Sequence, residues 1–337
     1  MDSLTQIVLG AAVGEVLLGK KLGNKALLLG AIGGTLPDMD VLYNFFNDDP
    51  IRQLEVHRGY SHSMFTHLVL AIPLMLLSVK FSNKGISKSR WYLFWFLALF
   101  THALLDCCTT YGTQLLLPFT NYQVGFNNIS VIDPLYTIPF MLLLIVGMFF
   151  KRDSATRSKF MMAGIVVSSL YMLLTFGLKY SVHQKFANSL VENNIQTTEL
   201  NSTPTILNAI LWSGIAYSND SIYTSEYSFL RASEPIVWNG YSRNLQLLTE
   251  YDSPALRTIT WFSDGNYFIH PLANDTALFF NIKWGRTRFD SNDPQKAFMF
   301  YWKFYKENGQ VRYSEMRDDN WSFSEAFDML MLRIGIK

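Results

Sequence analysis

Long apolar runs fill the chain up to about Tyr180, and shorter polar and aromatic stretches follow. Four runs approach the roughly 17–25 residues that a helix needs to cross a bilayer. They are Met64–Val79, Trp91–Cys108, Ile129–Phe150 and Phe160–Tyr180. Two earlier runs are shorter, Leu4–Leu18 and Ala26–Leu36 with an extension to Phe46. The pattern predicts a membrane protein with an α-helical transmembrane bundle of about six helices over residues 1–180.

Glycines give the two shorter runs faces of small residues, at Gly10, Gly14, Gly30, Gly33 and Gly34. Such faces let helix backbones approach closely, so we expect tight helix packing here. A secretory signal peptide is the alternative for the first run. It fits poorly, because acidic Asp2 stands where a basic segment belongs and no small-residue cleavage site follows.

Basic residues lie in every second loop between the runs. They are Lys20, Lys21 and Lys25 in one loop, Lys80, Lys84, Lys88 and Arg90 in another, and Lys151, Arg152, Arg157 and Lys159 in a third. The positive-inside rule places these loops in the cytoplasm. The loops Val41–Gln53 and Thr109–Asn128, and the chain after Tyr180, then lie outside it.

Residues 181–337 have the pattern of a mostly β soluble domain, which the topology makes extracytoplasmic. Runs rich in aromatic and β-branched residues, such as Ser221–Leu230, Leu256–Phe262 and Thr276–Lys283, are separated by clusters of Asn, Asp, Gly, Ser and Pro. A helix is predicted near Ser324–Ile334. This domain is expected to cap the membrane part or to rest on the lipid surface.

Composition adds two restrictions. The formal net charge of +1 gives no reason to expect a nucleic-acid partner, which usually requires a basic stripe. Cys107 and Cys108 are adjacent within an apolar run. Neighbouring cysteines rarely bridge to each other, so we expect two small buried hydrophobic side chains and no redox motif.

Candidate chemistry is concentrated in three short polar motifs at the ends of apolar runs. In Pro37-Asp38-Met39-Asp40 two carboxylates flank one residue and can bracket a cation; a solvated pair is the alternative. In His57-Arg58-Gly59-Tyr60-Ser61-His62-Ser63 two imidazoles lie five residues apart, and imidazole is the commonest protein ligand of zinc. Arg58 supplies a planar fork for phosphate or carboxylate. A loop with incidental histidines is the alternative for this motif.

The third motif is His102-Ala103-Leu104-Leu105-Asp106. Residues four apart on a helix share a face, so His102 and Asp106 can ligate one metal, or the carboxylate can orient the imidazole. A structural hydrogen bond between packed helices is the alternative. Thr109 follows at the helix end, where its hydroxyl is available to a substrate. The predicted topology places all three motifs on the outer side of the membrane.

Together these motifs, in this order, resemble the bacterial membrane-bound metal-dependent hydrolase family, which includes inner-membrane proteins of the YdjM type. The resemblance covers Met1 to roughly Phe150. It implies a multi-helix protein of the bacterial cytoplasmic (inner) membrane with conserved Asp and His residues that hold divalent metal. The matching positions are Asp38, Asp40, His57, His62, His102 and Asp106, followed by Thr109 and Gly112. Two positions depart from the family pattern, since many members have His where this chain has Gln6 and Val41.

The resulting hypothesis is metal-assisted hydrolysis of a phosphoester, with a membrane lipid phosphodiester as the natural substrate. One or two ions, zinc as the first choice and manganese, magnesium or iron as others, would be held by the six Asp and His residues of the motifs. Arg58 would clamp the developing charge, and Asp40 would take the proton. Two other classes stay open: a scaffold or stress-response protein with a structural metal, and a transporter.

Overall fold

Each apolar run of the N-terminal half contains a helix in the computed structural model, which describes residues 1–82, 84–287, 293–316 and 323–336. The helices are α1 (Ser3–Leu22), α2 (Asn24–Thr35), α3 (Pro50–Val56), α4 (Met64–Phe81), α5 (Lys88–Cys107), α6 (Pro134–Met148) and α7 (Ala155–Glu192). The chain divides into two units, Met1–Phe176 and Gly177–Lys337, and the division falls within α7. The sequence predicted domains 1–180 and 181–337.

Within the described residues, three helices are long and apolar enough to cross a membrane, namely α1, α4 and α7. Helix α6 is apolar but shorter, with 15 residues. Helix α2 has 12 residues, which span only about 18 Å at 1.5 Å per residue. The helical character of the N-terminal half is confirmed, and the count of six spans stays a prediction.

Helices α1 and α2 pack with their backbones in direct contact. A Cβ atom added at Gly10 would overlap the carbonyl oxygen of Gly30, and one at Gly14 would overlap that of Ala26. A Cβ at Gly34 would likewise overlap the carbonyl oxygen of Gln6. The close packing predicted from the small-residue faces is confirmed.

The helices of the first unit alternate in direction, and one end of the bundle collects the polar motifs. Gln6, near the start of α1, donates from Nε2 to the carbonyl of His102 near the end of α5. The His102 ring lies against the carbonyl of Gly34 at the end of α2. Thr5 bonds to Thr137 near the start of α6. We call this the polar end of the bundle, and all three motifs lie there.

A buried ion pair holds the opposite end of the bundle. Arg157 of α7 donates from Nε and Nη2 to the two carboxylate oxygens of Glu15 in α1, each at 2.7 Å. Its Nη1 donates to Asn24 Oδ1 of α2 at 2.7 Å. Arg157 is 2% exposed. Because the guanidinium is bidentate and fully paired, it ties three helices together where basic residues such as Lys21 also lie.

The second unit contains two four-stranded antiparallel sheets. The first sheet is β1 (Glu199–Pro204), β2 (Leu211–Tyr217), β3 (Ser221–Ser228) and β4 (Asn239–Ser242); the second is β5 (Tyr267–Leu272), β6 (Thr276–Asn281), β7 (Phe300–Glu307) and β8 (Gln310–Met316). Ile215 and Ile222 of the first sheet pack in one core with Phe268 and Phe280 of the second. The predicted β-rich character of this region is confirmed.

Among the described residues of this unit, the α-helices beside the sheets are α8 (Leu247–Glu250), α9 (Pro254–Ser263), α10 (Pro294–Ala297) and α11 (Phe323–Ile334). Helix α11 confirms the prediction near Ser324–Ile334. The predicted strand Leu256–Phe262 is wrong, because this run lies in α9. Ser253 caps the helix by accepting from Leu256 N, and Pro254 occupies the first turn. Leu256, Ile259 and Phe262 are buried and lie three residues apart, on one face of the helix. The aromatic and β-branched residues of the run had suggested a strand instead.

Candidate metal centre

Three elements bring the motifs together at the polar end. The first is a 3-10 helix over Pro37–Phe45, which begins directly after α2 with a proline in its first turn. The second is a short 3-10 turn, Tyr60–His62, which leads into α4. The third is the last part of α5, where His102 and Asp106 are both buried. The predicted shared face of His102 and Asp106 is therefore turned into the protein.

Asp38, His62, His102 and Asp106 each place one ligand atom within 4.8 Å of the other three. His62 Nε2 lies 3.4 Å from Asp38 Oδ1 and 3.2 Å from Asp106 Oδ2. His102 Nε2 lies 3.4 Å and 3.6 Å from the same two oxygens. The two Nε2 atoms are 3.1 Å apart. A zinc ion with ligand distances of about 2.0–2.2 Å sits in a tetrahedron with edges of about 3.3–3.6 Å. The separations of 3.4, 3.4 and 3.6 Å fall in that range, and those of 3.1 and 3.2 Å are slightly shorter.

Hydrogen bonds on the far side of each ring decide which imidazole nitrogen carries the proton. His102 Nδ1 lies 2.6 Å from the carbonyl oxygen of Gly34, which can only accept, so Nδ1 is the donor. The Ser61 hydroxyl donates to Asp40 Oδ2 at 2.7 Å. It must therefore accept from His62 Nδ1, which lies 2.9 Å away. In their neutral forms both rings turn Nε2 lone pairs toward the shared point.

The two oxygens of Asp106 have different surroundings. Oδ1 accepts from Gln6 Nε2 at 3.0 Å and from the amino group of Met1. Oδ2 accepts no hydrogen bond from the residues that the structure describes, although Arg58 Nε forms an ion pair with it at 3.0 Å. A buried carboxylate oxygen without an aligned donor fits a metal ligand. The amide nitrogen of Gln6 thus donates a hydrogen bond to Asp106. Gln6 is not a member of the four-residue group Asp38, His62, His102 and Asp106.

Asp40 and His57 lie next to the four-residue group and bond to each other. His57 Nδ1 is 3.0 Å from Asp40 Oδ1, and Asp40 Oδ2 accepts from the backbone N of Arg58 at 2.9 Å. A 3-10 helix turns about 120° per residue, so Asp38 and Asp40 point in different directions. Asp40 is connected to the four-residue group through hydrogen bonds: it accepts from the Ser61 hydroxyl, which accepts from His62 Nδ1. Direct metal ligation by Asp40 and His57 stays a prediction.

Arg58 is buried behind Asp106, in a left-handed backbone conformation with φ of +57°. Its Nη1 donates to the hydroxyl of Thr109 at 3.0 Å, and its guanidinium lies 4.7 Å from the centre of the Tyr111 ring. Thr109 in turn donates to the carbonyl of Asp106 at 2.8 Å. Arg58 and Thr109, both predicted to act on a substrate, are thus within one hydrogen-bonded chain around Asp106.

At this site, neighbouring charges shift the pKa values in the direction opposite to the effect of burial. Burial by itself raises the pKa of Asp38, but the imidazoles of His102 and His62 outweigh it and hold that pKa below its ordinary value. Burial also raises the pKa of Asp40, and the bond from His57 outweighs it. For His62 burial lowers the pKa, whereas the carboxylates of Asp106 and Asp38 raise it above its ordinary value. The site therefore favours ionised carboxylates that face positive charge.

Sequence reasoning gave no role to Ser61 or to the carbonyl of Gly34. Ser61 was visible as the residue directly before His62, and its position is fixed further because its carbonyl lies 2.8 Å from Nε2 of buried His67. Gly34 was visible only as a small residue at a helix end. A backbone carbonyl leaves no signal in the side-chain pattern. The hydrogen bond between His102 and the carbonyl of Gly34 was therefore not predictable.

The fold and the site define a helical membrane protein with a cluster of two histidines and two aspartates, three of them buried and Asp38 partly exposed. The family model for the YdjM inner membrane protein matches residues 1–182, more than half of the 337 residues. The chain therefore belongs to the YdjM inner membrane protein family, and the match includes all four residues of the cluster. This confirms the family resemblance carried by the motifs.

One curated relative matches about half of the chain. The uncharacterized protein YfhP of Bacillus subtilis (strain 168) is 26% identical over 181 residues, which are 52% of this chain and 51% of that protein. The chain thus spans about half the length of the relative that it matches. No solved structure matches the chain.

Proposed function

We propose that this chain is a metal-dependent hydrolase of the bacterial inner membrane, with a divalent cation held by Asp38, His62, His102 and Asp106. One observation carries the proposal: two imidazole Nε2 atoms with inward lone pairs lie 3.1 Å apart. Two carboxylate oxygens surround them at 3.2–3.6 Å. With both rings neutral, these four electron-rich atoms repel one another, and a cation between them relieves the repulsion.

Zinc is the first choice of metal, because two imidazoles and two carboxylates are ligands that it accepts in tetrahedral geometry. Manganese, iron and magnesium follow, in view of the two carboxylates. The four residues hold one ion. A second ion would need Asp40 and His57 as ligands, and both already bond to each other.

The proposed reaction is hydrolysis of a phosphoester. When bound, the metal supplies a water molecule of lowered pKa and polarises a phosphoryl oxygen. Arg58 adds a fixed positive charge beside Asp106, held in place by Thr109. Asp40 orients His57 by accepting from its Nδ1, so that His57 Nε2 accepts the proton. The proton acceptor is thus the Asp40–His57 pair rather than Asp40 alone.

A membrane lipid phosphodiester is the proposed substrate, and the proposed topology has six spans with the site and the C-terminal domain outside the cytoplasm. Support comes from the separation of charges along the bundle. The motifs lie at the polar end, whereas Glu15, Arg157 and the Lys20–Lys21 pair lie toward the other. Clustering at one end also disfavours a transporter, whose polar residues are expected at mid-depth.

A structural metal is the second candidate, and the number of protein ligands favours it. Four protein ligands complete a tetrahedral shell, whereas catalytic zinc sites keep one position open. Asp38 decides between the two candidates, because its side chain is 23% exposed while the other three are fully buried. In a hydrolase, the opening beside Asp38 would let water or a substrate oxygen reach the metal. In a scaffold its loss costs stability and no reaction.

The test combines metal analysis with a phosphodiesterase assay on purified protein. We expect about one zinc per chain in the unaltered protein and in His270→Ala, a control at an exposed position of β5. His62→Ala and Asp106→Ala should lose both metal and hydrolysis of phospholipid vesicles. Metal retained by both variants would contradict the shared site. Metal lost from both, with no hydrolysis of any phosphoester by the unaltered protein, would favour the structural metal.

A further inference from the structure

The 3-10 helix Pro37–Phe45 has one face that is entirely apolar and exposed. With three residues per turn, Met39, Leu42 and Phe45 lie above one another. Their exposed fractions are 51%, 42% and 80%. Phe46, which follows, is exposed at 88%. Large apolar side chains in a row at a helix surface mark a contact with an apolar partner.

The same helix forms one wall of the candidate metal centre. Asp38, next to Met39, faces His62 and His102, and it is the partly exposed member of the four-residue group. The two aspartates are the charged side chains between Pro37 and Phe46, and both bond inward. The centre therefore opens beside an apolar helix face that carries no outward charge.

A second exposed apolar element lies beside the motif His57–Ser63, where the Ser63 hydroxyl donates to the carbonyl of Leu117. The stretch Leu115–Phe126 contains no Asp, Glu, Lys or Arg, and it exposes Phe119 at 76%. Phe119 packs edge-on against Phe65 in the first turn of α4, with ring centres 4.8 Å apart. Helix α4 is a candidate membrane span. This element is thus continuous with a surface that faces lipid.

We infer that the face Met39–Leu42–Phe45 and the stretch Leu115–Phe126 lie in the boundary between lipid headgroups and acyl chains. Aromatic residues at the ends of membrane helices prefer this layer, and the apolar faces of interfacial helices are buried in it. Asp38 then lies at headgroup depth. The inference about the substrate rests on the proposed function: the substrate class is a membrane amphiphile that enters from the lipid, rather than a soluble ester.

Spin labelling tests the position of the helix independently of any activity. Labels are placed at Phe45→Cys and at Asn44→Cys, an exposed neighbour on another face, in a Cys108→Ser background. The protein is reconstituted in phosphatidylethanolamine–phosphatidylglycerol vesicles, with Leu76→Cys on α4 as the lipid-facing reference. We expect the ratio of oxygen to nickel-chelate accessibility to be several-fold higher at position 45 than at 44, and to approach that at 76.

Two outcomes would overturn the inference. Equal ratios at positions 44 and 45 would place the helix face in water. A label at 45 that neither reagent reaches would mean that protein covers the face, either a second copy or another part of this chain. Because neither readout involves catalysis, a protein without hydrolase activity can still support the membrane position.

A second measurement addresses the substrate class. The rate on vesicle phospholipid is divided by the rate on soluble bis-nitrophenyl phosphate, and metal content is measured in the same samples. Phe45→Ser should lower this ratio several-fold, whereas Asn44→Ser should not. An unchanged ratio for Phe45→Ser would contradict entry from the lipid. Absence of hydrolysis on both esters would instead contradict the proposed function and leave the labelling result standing.

Discussion

His62 and His102, forty residues apart in the chain, face each other with their Nε2 atoms 3.1 Å apart. Each ring uses its Nδ1 as a donor, His62 to Ser61 and His102 to the carbonyl of Gly34. The relation is informative because, in their neutral forms, both rings then direct an Nε2 lone pair into the space between them. A cation that both lone pairs coordinate resolves the repulsion.

Ser61 determines the tautomer of His62, and its removal should weaken metal binding. Ser61→Ala removes the hydroxyl between Asp40 and His62 Nδ1. We expect metal affinity to fall about 10–100-fold, as for other losses of an outer partner of a metal-bound imidazole. Competition with a chromophoric chelator measures it. Ser61→Thr keeps a hydroxyl and should restore most of the affinity; equal affinities for Ala and Thr would contradict this role.

Gly30 permits the close approach of α1 and α2, so a methyl group there should destabilise the bundle. A Cβ at this position overlaps the carbonyl oxygen of Gly10. We expect Gly30→Ala to lower the free energy of unfolding in detergent by about 1–3 kcal/mol. Metal content should fall as well, because α2 also positions Gly34. Gly177→Ala is the matched control in helix α7, where a Cβ meets nothing within 4 Å. Equal losses at both positions would refute the packing argument.

The ion pair between Arg157 and Glu15 should stabilise the fold without affecting the metal. Removing one partner leaves a buried charge without its counterion, which costs about 3–5 kcal/mol. We therefore expect Glu15→Gln to lower the unfolding temperature in detergent markedly, while folded protein keeps its full metal content. The double variant Glu15→Gln/Arg157→Met should recover part of the loss. Metal lost from folded Glu15→Gln protein would show that the two ends of the bundle are coupled.

Much of the helical half was predictable, because apolar runs and small-residue faces state which segments are helices and which of them touch. The motifs also contain all four residues of the group that could hold a metal ion. They could not separate Asp38 from Asp40, since the separation depends on the 3-10 conformation of Pro37–Phe45. Spacing by two residues was compatible with a shared cation. The tighter helix turns the second carboxylate toward His57 instead.

The β-rich half was less predictable, and Leu256–Phe262 shows why. The same Leu, Ile, Thr and aromatic residues suit a strand or the buried face of a short helix. Ser253 and Pro254 decide in favour of the helix through a cap and a fixed first turn. The orientation of each imidazole was also beyond the sequence, because the carbonyl that holds His102 comes from Gly34, 68 residues away.

X-ray absorption at the metal edge of purified, metal-loaded protein tests the central claim most directly. The account predicts about two imidazole nitrogens and about two carboxylate oxygens at about 2.0–2.2 Å for zinc. It also predicts that His102→Ala removes the metal or lowers the imidazole count to about one. Sulfur scatterers at about 2.3 Å, as from Cys107 or Cys108, would contradict the account, as would a metal without imidazole ligands.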